Sequence, residues 1–337
     1  MKLFVHAGMG KTGTSAIQAA LANSEHTLAK HNAQYLGLWL RTIDPDYVGY
    51  EGFERFVSQG EQGIQRDAAR LAENFRDSPF STFIYSNENV FGNFRAFQVF
   101  LAALTECGVD VRIVIYVRAM HDWLPSAFVQ WNAYHKTHSG PVLPFAQKGR
   151  ALAGLYDLIP EWIDTFGERA DVRPFNKGQD VVADFASVLG IALEPPAERV
   201  WERIEPAEAV LRAMFNDRIE GPAVPALFER SLGLKRDQRV RSIDEFRNRA
   251  LNTNAIDTII ARKQPTIENI RKRTGIDVGE SSREKSTEPP VPAQIRAELL
   301  SYLVEIVIQQ SFRINELERR MREPVEGEPD AENAADR

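Results

Sequence analysis

The sequence predicts an α/β protein, a parallel sheet flanked by helices, with an α-helical elaboration in its C-terminal half. Two observations carry this. Short apolar runs rich in β-branched and aromatic residues barely alternate, as strands buried on both faces do, and helical patterns separate them. From about residue 179 onward every pattern is helical.

Residues 2–7 (KLFVHA) form the first strand and run into the glycine turn GMGKTGT. Behind the turn Ile17, Ala20, Leu21 and Leu28 recur at helical spacing, giving strand, turn, helix. Residues 33–39 (AQYLGLW) read as a second extended piece, followed to about residue 65 by a loop-rich stretch expected outside the sheet. STFIYS (81–86) and VRIVIYV (111–117) read as buried strands, with a helix over 94–106 between them. Leu155, Leu158, Ile159, Trp162, Ile163 and Phe166 line one helical face that Gly167 stops, and DVRPF (171–175) is the last strand. The helical half ends in AQIRAELLSYLVEIVIQQSFRINELERRMR. Residues 275–292 read as a mobile linker, and 323–337 as a disordered acidic tail. The expected organisation is a core over 1–192, a helical elaboration over 193–322 belonging to the same domain and to the acceptor site, and the tail.

The chain has 337 residues, 43% of them hydrophobic, enough for a substantial core. With 41 Lys plus Arg against 47 Asp plus Glu, the net charge is −6. That balance argues against nucleic acid or an anionic membrane as partner, so any anion must be held by a local cluster of donors. The single cysteine, Cys107, leaves no intrachain disulfide and no Cys-rich zinc site, and fits a reducing cytoplasm. Positions 3 to 7 hold only four apolar residues, Leu3, Phe4, Val5 and Ala7, before the glycine turn, too few for a signal peptide. No run approaches the roughly 18 uninterrupted apolar residues of a membrane span.

A strand feeding a glycine turn that opens a helix gathers unpaired N–H groups and the positive end of a helix dipole at one point. Lys11, Thr12, Thr14 and Ser15 add an ammonium and three hydroxyls there. The strict triphosphatase loop G-x-x-x-x-G-K-[ST] fails, because Val5 stands where its first glycine would be. A phosphate cradle of a related, P-loop-like kind is the expectation. A second constellation closes the fourth strand: Arg118 stands at its carboxyl edge, with Ser126 eight residues on, in the next helix. Ligands of open α/β sheets bind at that edge. A P-loop kinase or GTPase wants an acidic Mg²⁺ ligand at such a strand end, whereas an arginine fork suits bidentate contact with a second phosphate.

HAGMGKTGTS (6–15), together with YVR and a serine eight residues after the arginine (116–126), resembles the two nucleotide-binding motifs of sulfotransferases that use 3′-phosphoadenosine 5′-phosphosulfate (PAPS). SNE (86–88) resembles the SSE of bacterial carbohydrate-type members, and residues 164–191 resemble a later stretch of theirs. The resemblance covers roughly residues 1–192. It implies that Gly10, Lys11, Thr12, Gly13, Thr14 and Ser15 cradle the 5′-phosphosulfate and that Arg118 and Ser126 hold the 3′-phosphate, with no metal. Two positions depart from the family: Gly10 stands where proline is common, and Ala16 leaves no base-stacking ring just after the loop.

Sulfuryl transfer needs positioning and charge stabilisation rather than covalent catalysis. Lys11 is expected to neutralise the bridging oxygen as the phosphate departs. Glu88, just past the third strand, is the expected base for the acceptor's proton, with Ser86 orienting substrate. His6, ending the first strand beneath the loop, is the next candidate. His121, His135 and His138 read as solvated or satisfied. Trp123, Trp131 and Tyr134 read as core or groove wall, and Arg173 has no transferable role. Lys177 and Gly178 read as a turn. The basic residues Arg236, Arg239, Arg241, Arg247 and Arg249, then Arg262, Lys263, Arg271, Lys272 and Arg273, read as a solvated face. The expected acceptor is a hydroxyl or amine of a carbohydrate or related small molecule. The alternatives are a P-loop kinase and a nucleotide-binding scaffold whose last helix serves assembly.

Overall fold

The computed structural model describes residues 1–176, 178–195, 206–230, 252–253, 255–279 and 292–322. Its centre is an all-parallel five-stranded sheet in the order β2-β3-β1-β4-β5, with β1 Lys2–His6, β2 Ala33–Tyr35, β3 Thr82–Ser86, β4 Asp110–Val117 and β5 Ala170–Pro174. Successive side chains enter opposite layers, as the pleat requires. Leu3, Val5, Phe83, Tyr85, Ile113, Ile115 and Val117 belong to one core cluster, and Phe4, Ile84, Val114 and Tyr116 to the other. Both faces are therefore apolar, which is why the strands read as near-continuous hydrophobic runs.

The smaller cluster is covered by α1 (Thr14–Asn23), α2 (Glu25–Lys30) and α10 (Val181–Leu189). The larger lies under α3 (Gly49–Ser58), α4 (Glu61–Asp77), α5 (Asn89–Gly92), α6 (Phe94–Glu106), α7 (Met120–Phe128), α8 (Phe145–Ala153) and α9 (Leu158–Phe166). Gly167 ends α9 at φ +55, as its place in the pattern predicts.

Four local expectations need correction. The loop-rich stretch before residue 65 contains α3, whose Phe53 and Phe56 are buried against Phe97 and Phe100 of α6; its glycines and the preceding Asp-Pro masked a helical period already present in Phe53, Phe56 and Val57. The second extended piece pairs only over Ala33–Tyr35. The first helix breaks at Ser24, whose hydroxyl caps Ala20 O at 2.7 Å and accepts from the Glu194 N–H at 2.7 Å. The expected linker at 275–292 begins with packed chain: Val278 is buried and its carbonyl accepts from the Met120 N–H at 2.7 Å. Residues 280–291, the tail 323–337, Lys177 and the arginines from 236 to 249 lie outside the described residues.

The C-terminal half is helical where described: α11 Pro206–Asn216, α12 Pro225–Arg230, α13 Ile256–Arg262, α14 Gln264–Thr274 and α15 Pro292–Arg322. Ile259, Ile260, Ile267 and Ile270 bury α13 and α14 in the larger core. Their basic residues meet acids, Lys263 with Asp157, Arg273 with Asp164 and Arg271 with Asp277, as a solvated face does. Arg173 acquires a structural role: it grips both oxygens of Asp184 on α10 at 2.7 and 2.8 Å and Asp171 at 3.0 Å. This fork, with Tyr116 donating to the same carboxylate, holds Asp184 below the ordinary carboxylate range and fastens α10 to β5.

Candidate functional site

The strand order reverses at β1, which lies between β3 and β4, so the loops after all three open at one carboxyl edge. Backbone bonds carry the ladder past the strand ends. The Ala7 N–H donates to Val114 O, the Asn87 N–H to His6 O, and the Phe175 N–H to Val117 O. The glycine turn, Glu88 and Arg118 are thereby gathered at one place, two of them from strands flanking the first.

The turn is held from three sides. Gly10 has φ +65, and a Cβ there would meet the Trp131 ring at 2.9 Å; Gly13 has φ +83, and a Cβ there would meet Val181 at 2.7 Å and Phe175 at 3.1 Å. Neither φ nor space admits a side chain. Proline, whose ring fixes φ near −65°, cannot adopt the positive φ of Gly10. The Trp123 indole N–H donates to Gly10 O at 3.0 Å. Lys11 itself has φ +55, and its ammonium donates to Gln130 Oε1 at 3.2 Å. Arg118 donates to Lys11 O at 3.4 Å, with its guanidinium 5.8 Å from the Phe175 ring centre.

Inside the turn three polar side-chain atoms crowd Gly8. A Cβ on Gly8 would stand 2.8 Å from Thr14 Oγ1, 3.1 Å from His6 Nε2 and 3.1 Å from Thr12 Oγ1. All three atoms are buried with no hydrogen-bond partner among the described residues. Buried polar atoms are almost always paired, so three orphans in one turn set it apart from the rest of the core. His6 Nδ1 lies 2.8 Å from Ser86 Oγ, and burial pushes the ring's pKa down to about 3, so it is a neutral imidazole. Whichever of Nδ1 and Ser86 Oγ donates, the pair ties the end of β1 to the end of β3. His6 and Ser86 thus support the loop from beneath, sealed from an incoming acceptor. Gly8→Ala is expected to fold, since its backbone is not left-handed, and to lower affinity for adenosine 3′,5′-bisphosphate about tenfold or more by displacing the Thr14 hydroxyl, which would lie 2.8 Å from the new Cβ; calorimetric titration alongside a thermal melt checks both.

Glu88 is half-buried at the start of α5 without capping it. Gln18 of α1 donates to Glu88 Oε2 at 3.3 Å and to Ser86 O at 3.2 Å, tying the carboxylate to the helix that begins at the glycine turn. Beside it stands an aromatic wall. Asn87 donates to Leu38 O at 2.8 Å, anchoring the segment that carries Trp39. Trp39 and His135 meet Tyr50 edge-on, with centroids 5.7 and 6.4 Å away. Tyr50 is 60% exposed, and burial followed by the Glu88 carboxylate raises its pKa. Burial, and then Lys148, lowers that of His135.

Ser126 is half-buried on α7 and Ser15 half-buried on α1, neither hydroxyl engaged by a described residue. The helix carrying Ser126 gives way at Val129–Tyr134 to a π-helical segment, whose wider turn brings Trp131 and Gln130 to the loop. Trp123 is fully buried, whereas Trp131 walls the turn and Tyr134 stacks on Arg212 with 4.5 Å from guanidinium to ring centre. His121 pairs with Asp257, and His138 lies 3.1 Å from Pro141 O. Gly178 is an exposed turn residue at φ +89. Gln18 and Gln130 went unread in the sequence, although each lies four residues beyond a site residue, Thr14 or Ser126, and hence on the same helical face. A separate open cleft of about 770 Å³ lies at the amino-terminal half of the strands, beside Arg112, Arg169 and Arg273. Those arginines are engaged by Asp110, Thr105 and Asp164, far from the loops that could do chemistry.

No family model and no curated protein matches the chain. Among solved structures, a tunicamycin resistance protein of Deinococcus radiodurans is similar over 58% of this chain and 99% of its own, at 12% identity and a TM-score of 0.30. At that level the chemistry rests on the site alone. No helix among the described residues is long and apolar enough to cross a membrane.

Proposed function

We propose that the protein is a sulfotransferase moving a sulfuryl group from PAPS to a hydroxyl or amine of a carbohydrate or related small acceptor. The observation that carries this reading is the glycine turn, where buried orphan atoms of His6, Thr12 and Thr14 converge beside Gly8 at the N-terminus of α1 and Arg118 donates to the Lys11 carbonyl. An anion is what such a donor set lacks. The donor substrate supplies an activated sulfuryl group on a phosphate leaving group. Residues 10–15 would hold its phosphosulfate end, while Arg118 and Ser126 would hold the 3′-phosphate that ordinary nucleotides lack. Lys11, whose ammonium donates to Gln130, would move it to the leaving oxygen. Glu88, steadied by Gln18, would take the acceptor's proton, with Tyr50 and Trp39 walling the approach. Exposed aromatic faces beside a base suit a sugar or phenol ring.

Arg118→Ala is expected to weaken adenosine 3′,5′-bisphosphate by about 2 to 3 kcal/mol, the scale of a lost charge-assisted fork, and to leave adenosine 5′-phosphate nearly unchanged. Calorimetric titration of both nucleotides decides it. Equal losses for the two would show that Arg118 does not read the 3′-phosphate.

A further inference from the structure

The last helix, α15, packs through Ile295, Leu299 and Tyr302 on Val210, Leu211 and Met214 of α11. A second apolar stripe runs beside that face. Leu300, Val307, Ile314 and Met321 recur every seven residues, and Leu303, Gln310 and Leu317 follow three residues behind. That spacing is the a and d pattern of a coiled-coil seam sustained over three heptads. Leu300, Val307, Ile314, Leu317 and Met321 are between 51% and 87% exposed. An exposed apolar stripe of this length marks an interface.

We infer that α15 joins two copies of this chain through a parallel two-stranded coiled coil. The seam composition selects the number of strands. Val307 and Ile314 at a, with Leu317 at d, favour two helices, and the single polar Gln310 at d fixes their register. Charge selects the partner and its direction. Exposed Arg313 occupies a g position and exposed Glu318 the e position five residues on. In a parallel pair, g of one chain faces that e of the other, so Arg313 meets Glu318 of the second copy, and the two-fold axis repeats the pair. An antiparallel pair sets g against g, where positions 306, 313 and 320 offer no carboxylate. The surface is thus complementary to itself, as an isologous dimer requires.

Sedimentation equilibrium of the full chain at micromolar concentration should give twice the 38.1 kDa chain mass. Ile314→Asp should make it monomeric while the thermal melt of the core stays in place, since Ile314 is more than half exposed. Arg313→Glu and Glu318→Arg should each raise the dimer dissociation constant about tenfold, because each turns two attractive pairs into repulsive ones, and the double exchange R313E/E318R should restore it. A monomeric or trimeric wild type, a dimer that survives Ile314→Asp, or a double exchange no tighter than the single ones would overturn the inference.

Discussion

Lys11→Ala is expected to lower turnover by about 10²-fold or more while reducing affinity for the product nucleotide only slightly. The lysine is exposed, and its ammonium rests on Gln130 rather than in the core, so removing it leaves the fold intact. Its charge counts most when the bridging oxygen becomes anionic, a state the bound product does not reproduce. Single-turnover transfer from labelled donor, measured beside calorimetric titration of adenosine 3′,5′-bisphosphate, separates the two effects. Parallel losses in both would make Lys11 a binding residue only.

Glu88→Gln is the second large effect. Glutamine keeps the shape and one acceptor oxygen for Gln18 while removing the basicity, so turnover should fall about 10²-fold with nucleotide affinity near wild type. The acceptor comes first from a screen of sugars, glycans and phenols with the same donor. Wild-type transfer by Glu88→Gln would place the base elsewhere. His6 does not inherit the role, because it is fully buried beneath the loop.

The sheet was legible because burial on both faces writes itself into sequence as unbroken apolar runs, and α6 because Phe94, Phe97, Leu101 and Leu104 keep a helical period. The strand–turn–helix junction was legible because glycines stand between an apolar run and a helical period. What escaped depends on tertiary contact. Gln130 reaches Lys11 across 119 residues, and only a π-helical turn after α7 aims it there; no local pattern distinguishes that turn from continued α-helix. Arg173 has no legible role in the sequence, because, of its two acids, Asp184 comes into reach only once α10 folds back on β5. The aromatic wall was hidden because Trp39, Tyr50 and His135 come from three separate segments.

The central claim is that the site reads a nucleotide by its 3′-phosphate, and ligand-induced thermal stabilisation tests it most directly. Adenosine 3′,5′-bisphosphate at one hundred times its dissociation constant should stabilise the protein by about 2.7 kcal/mol. The shift should be unchanged by EDTA, and ADP and ATP should give far smaller shifts with or without Mg²⁺. Stabilisation by ATP with Mg²⁺ that exceeds that by adenosine 3′,5′-bisphosphate would contradict the account and turn the reading toward a kinase.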